Sequence, residues 1–133
     1  MKKHNTDIGA ELLFLLRQQR YLYHQLKILT DRQQQSAGTN SPDLLLEFIS
    51  GRRKLVEKLL ELDNKLRPIK ANWQKLSRRI GPEHKQLVHK TANQIQEIIR
   101  EILTTDPSVM AQNLRLNENC RFDGLFAEAQ SQL

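Results

Sequence analysis

Hydrophobic positions recur along this chain in an alternating three- and four-residue step, the period of an α-helix packed along a partner. The longest run of the pattern lies in residues 41–80, around which the chain is expected to be organised. From Leu45 it passes through Phe48, Arg52, Leu55, Leu59, Leu62, Leu66, Ile69, Trp73, Leu76 and Ile80, and only Arg52 is polar. Ser41 is placed to cap the helix start, and Pro42 occupies a first-turn position where its missing N–H is not needed. Gly81-Pro82 is the stop. Pro68 predicts a kink within the helix, not a full break, because the apolar phase continues on both sides. A helix over 42–80 would be roughly 58 Å long at about 1.5 Å per residue, so the other segments are expected to lie along it.

A first helix is predicted over 6–36, capped by Thr6 or Asp7, with a stripe of Ile8, Leu12, Leu15, Gln19, Leu22, Leu26, Leu29 and Gln33, widened by Leu16 and Tyr23. The polar run Gln33 to Asn40, with Gly38 near its end, is a short connection, and it predicts an antiparallel hairpin with the second helix. Gln19 and Arg52 are polar members of otherwise apolar seams, a pattern that more often sets register than performs chemistry. A third helix is predicted over 82–105. Val88, Thr91, Ile95, Ile98, Ile102 and Thr105 form its stripe, and Leu87, Ala92, Ile99 and Leu103 lie beside it. Asp106-Pro107 then punctuates the chain, leaving residues 107–133 as a C-terminal arm, helical or mobile, with Val109, Met110, Leu114, Leu116, Cys120, Phe122, Leu125 and Phe126.

Composition agrees with an all-α reading: 133 residues are enough for a single domain, and the β-branched and aromatic residues that favour strands are scarce. The expected architecture is a long antiparallel helical hairpin plus a third helix, an elongated, coiled-coil-like three-helix bundle. The longest apolar run, Leu12 to Leu16, is too short to span a bilayer, so no membrane insertion is expected. No apolar signal region follows Met1-Lys2-Lys3-His4-Asn5, and the single Cys120 cannot form an internal disulfide; both suit a cytoplasmic location. The net charge of +6 is uneven. Lys and Arg outnumber Asp and Glu by 6 to 3 over residues 1–40 and by 10 to 5 over 41–81, whereas 82–133 has 5 against 7. Arg52-Arg53-Lys54 and Arg78-Arg79 could meet phosphates, but without aromatic or glycine interleaving they read as solvated helix faces, and no nucleic-acid partner is expected.

Catalytic and metal patterns are absent from the sequence. His84 and His89 are five apart and do not share a helix face, no His-Glu-x-x-His or Glu-x-x-His occurs, and every glycine is isolated, so no phosphate-cradling loop can form. Neither an enzyme nor a cofactor is expected.

The block Leu44-Leu45-Leu46-Glu47-Phe48-Ile49-Ser50-Gly51-Arg52-Arg53-Lys54-Leu55-Val56-Glu57-Lys58-Leu59-Leu60-Glu61-Leu62 resembles the second-helix block of FlgN-type flagellar export chaperones. The layout of the whole chain is similar as well, from the Gln-rich turn through Leu66-Arg67-Pro68-Ile69 and Trp73 to a loosely patterned tail. The resemblance implies a cytoplasmic, non-ATPase chaperone in flagellum biogenesis and protein export. Its clients would be the helical terminal segments of hook-associated proteins at the hook–filament junction. It would keep them from assembling early and deliver them to the export gate, with export-apparatus components as further partners. Client binding maps by resemblance onto the C-terminal region, and Ile99, Leu103, Met110, Leu114, Phe122 and Phe126 are the residues suited to helix-in-groove recognition. The residues also leave open a self-associating helical scaffold or homo-oligomer, and a basic helical nucleic-acid-binding protein.

Overall fold

Ser41 opens the second helix in the computed structural model, its hydroxyl oxygen accepting from the Leu44 N–H at 3.3 Å, with Pro42 in the first turn. The structure describes residues 3–106 except 37, 39 and 40, with side chains from residue 8 onward. Four helices pack against one another: α1 (Lys3–Gln35), α2 (Pro42–Ala71), α3 (Trp73–Ser77) and α4 (Pro82–Thr105). Among the described residues there is no strand. Helix α1 starts three residues before the expected 6, so Thr6 and Asp7 lie within its first turns and do not cap it.

The single helix expected over 42–80 is interrupted, although not at Pro68. Helix α2 runs through the proline to Ala71 and stops at Asn72, whose φ of −112° and ψ of 21° leave the helical region. Asn72 turns back on the proline, donating to the Pro68 carbonyl from its backbone N–H at 3.2 Å and from its side-chain Nδ2 at 3.0 Å. A short amide side chain that bonds nearby backbone offers the chain an alternative to the next helical turn. Helix α3 then resumes for one turn, and the apolar phase survives the break, because Trp73 and Ile80 are both buried.

The element around which the others gather is α1, not the segment 41–80. Helix α1 packs along both α2 and α4, whereas the α2 and α4 backbones scarcely approach each other. Two neighbours require a wide apolar face, and α1 provides one by burying Leu12, Leu13, Leu15, Leu16, Tyr23 and Leu26 together with Gln19 and Thr30. Thr30 satisfies its hydroxyl by donating to the Leu26 carbonyl one turn back at 2.8 Å. At one end of α1 Arg52 of α2 donates to Gln33, and Gly51 lies against Leu29; further back, Phe14 and Tyr21 share a groove with Lys65 and Lys58. The two helices therefore run in opposite senses. Arg20 reaches Gln94 at 2.6 Å and Lys27 lies 3.9 Å from Glu101, so α4 runs in the same sense as α1.

Two glycines sit at close contacts between elements. A Cβ on Gly9 would lie 3.2 Å from Ile80 Cγ2 and 3.3 Å from His84 Cβ, and one on Gly51 would lie 3.2 Å from Leu29 Cδ2. The core they frame joins the buried leucines of α1 to Leu59, Leu62 and Leu66 of α2, Trp73, Ile80, and Val88, Ala92, Ile95 and Ile102 of α4. Leu45, the first member of the long stripe, is the exception. It is 51% exposed, because α2 begins where α1 ends and α4 has no residue left to cover it.

Candidate functional site

Where α1 and α2 run side by side, their facing leucines close the core, but the shoulders of the two helices stay apart. The gap is an open groove of about 460 Å³. Leu22 and Leu62 form its floor, and Phe14 and Tyr21 stand along the α1 wall. These aromatics are seven residues apart, so they share one helix face, and they are 60% and 62% exposed. Arg17, Lys58 and Lys65 line the groove against one carboxylate, Glu61. A concave, apolar surface with polar groups at its edge is the usual form of a binding site. A second apolar patch lies at the start of α2, where Leu45, Leu46 and Ile49 are exposed.

Of the residues assigned to client binding, Ile99 is partly buried against the core and Leu103 is half-buried one turn further along α4. Met110, Leu114, Phe122 and Phe126 lie outside the described residues. In the sequence they follow α4, which ends at Thr105. Ile95 and Ile102 belong to the core, and Ile98 packs against it. Phe14 and Tyr21 fall between the α1 stripe positions, so a search for heptads passes over them. Their own signal is an aromatic pair spaced by two turns on an otherwise polar flank.

The polar groups inside the bundle serve its packing. Arg52, nearly buried, donates to the Gln33 side chain, so the polar member of the α2 seam meets the polar last position of the α1 stripe and not Gln19. Asp63 is buried within α2, with Lys70 Nζ at 3.1 Å and Arg67 Nη2 at 3.5 Å. His89 is buried on α4; burial pushes its pKa below the ordinary 6.5, and the Lys85 charge lowers it further. Lys27 is held above its ordinary value by its hydrogen bond to Asp31 at 3.0 Å, with Glu101 adding a smaller attraction. Among the described residues no three His, Cys, Asp or Glu side chains gather as metal ligands, and no helix is long and apolar enough to cross a membrane.

No protein-family model, curated protein or solved structure matches this chain. The geometry defines, over the described residues, a helical bundle with apolar side chains exposed at its edges.

Proposed function

We propose that this protein is a cytoplasmic flagellar export chaperone of the FlgN type, an elongated, coiled-coil-like bundle built on an antiparallel hairpin with a third helix. It holds the helical termini of hook-associated proteins, prevents their premature assembly and delivers them to the export gate. The sequence block from Leu44 to Leu62 supports the family. The observation that carries the binding role is the run of apolar residues from Ile99 and Leu103, only partly covered on α4, into Met110, Leu114, Phe122 and Phe126. Residues of this kind make adaptable anchors for an amphipathic client helix, with Met supplying flexibility and Phe buried area. No catalytic step, cofactor or nucleic acid enters this reading.

Calorimetric titration of the full chain with terminal helices of junction proteins tests it, alongside a chain lacking Ser108 to Leu133. Binding by the full chain, lost in the shortened one while the circular dichroism of the bundle persists, is the expected result. Failure of every junction-protein terminus to bind at micromolar concentrations would refute the reading. A second reading, a self-associating helical scaffold, is favoured by the exposed Leu45, Leu46 and Ile49 patch. Sedimentation equilibrium with and without client separates the two: a dimer that client does not dissociate supports the scaffold.

A further inference from the structure

We propose that the groove between α1 and α2 is the docking site of the chain's own C-terminal segment, residues 118–133. The groove presents two aromatic rings, each more than half exposed, in a surface whose charged groups are three cations and one carboxylate. Its occupant should therefore be an apolar helix face flanked by negative charge. Residues 118–133 have that composition: Glu118, Asp123 and Glu128 stand against Arg121 alone. Phe122, Leu125, Phe126 and Ala129 fall at the i, i+3, i+4, i+7 spacing of one helix face. Phe122 to Ala129 spans about 10 Å along such a face, as does Phe14 to Tyr21 on α1.

The connection is long enough. Arg20 pairs with Gln94, and Lys27 approaches Glu101, at the same separation of 74 residues. The last residue of α4, Thr105, is thus level with Asp31 of α1. Gln18, at the middle of the groove, lies thirteen residues back, or about 20 Å along the axis. The twelve residues 106–117 can span about 40 Å when extended, which covers that distance and the roughly 10 Å needed to pass one helix. Tethering raises the local concentration of the segment to the millimolar range, so even a weak contact would be well populated. A helix from another protein that uses the groove must first displace the segment. The inference goes beyond the chaperone reading and does not depend on it, since the contact is intramolecular.

Cys120, the single cysteine, is a native probe of this contact. Gln18→Cys places a second thiol in the groove. Asn93→Cys places one at the corresponding level of α4, on an exposed position away from the groove. Diamide takes two electrons and two protons from a thiol pair, which closes a disulfide wherever the two thiols meet. In dilute full-length protein, Gln18→Cys should form an intramolecular disulfide with Cys120 at least tenfold faster than Asn93→Cys, read by mass spectrometry of non-reduced peptides. Adding Phe14→Ala and Tyr21→Ala to Gln18→Cys should bring its rate down to that of Asn93→Cys. Equal rates for the two single variants would overturn the proposal. So would disulfides that are only intermolecular and grow with protein concentration, which would assign the groove to a second copy of the chain.

Discussion

Replacing Lys70 by Met tests whether α2 depends on the buried Asp63 that it carries. The Asp63 side chain is 1% exposed, and Lys70, itself 12% exposed, holds its ammonium 3.1 Å away. Methionine keeps most of the aliphatic stem and removes the charge. Breaking a buried ion pair by deleting one partner costs about 3–5 kcal/mol, because the remaining charge stays desolvated. Arg67 remains 3.5 Å from the other carboxylate oxygen but is 63% exposed, and such solvated pairs contribute about 0–1 kcal/mol. The expected loss for Lys70→Met is therefore about 2–4 kcal/mol, and for Arg67→Ala under about 1 kcal/mol. Asp63→Leu combined with Lys70→Met removes both charges and should restore stability to near the parent value or above it. Urea unfolding followed by circular dichroism gives all four corners of the cycle. A Lys70→Met loss below about 0.5 kcal/mol, or a double variant as unstable as the two single losses summed, would refute the reasoning.

Leu59 is fully buried, so Leu59→Ala should cost about 2–5 kcal/mol in the same assay. Arg52→Leu would be neutral or stabilising on seam continuity alone; with Gln33 as its partner it should instead cost about 1 kcal/mol, regained when Gln33→Leu is added. Gly51→Ala should raise stability by about 0.5–1 kcal/mol, because only the tip of the Leu29 side chain must yield; Gly9→Ala should show no gain, since the His84 Cβ cannot move without its backbone. For His89 the lowered pKa means that the unfolded chain takes up the proton first as pH falls below 6.5. Stability should therefore be intact above 6.5 and fall from there down to the lowered native pKa, and His89→Gln should flatten the urea midpoint between pH 7.5 and 5.5.

Much of this architecture was legible in periodicity, and the exceptions have physical causes. The stripe from Phe48 to Ile80 names the buried positions Leu59, Leu62, Leu66, Trp73 and Ile80 correctly, even across a helix break. Pro68 predicts a kink without a break, and α2 does run through it; the break, which periodicity does not mark, comes at Asn72. A missing N–H costs one hydrogen bond, which α2 tolerates, whereas the Asn72 side chain bonds the Pro68 carbonyl and competes with the next turn. Asp63 escaped notice because a stripe search scores apolar positions, and a buried carboxylate looks like any exposed one until Lys70, seven residues on, is placed beside it. The open shoulder at Phe14 and Tyr21 was equally hidden. A heptad pattern specifies which face meets a partner helix but not how far apart the flanks remain.

The run Leu12 to Leu16 carries the signal for the central position of α1. Every residue of that run except Phe14 is buried, and four buried leucines among five successive positions subtend an arc too wide for a single neighbour. With α2 on one flank and α4 on the other, α1 has no apolar stripe left uncovered. Among the described residues, apolar surface is left open at the α1 shoulder of Phe14 and Tyr21, at the overhanging start of α2 and, in part, at the end of α4. All three lie at edges of the bundle, where exposing or covering an apolar residue changes little in the core. The proposed chaperone role requires that property, since a carrier of helices has to gain and release its partner without unfolding.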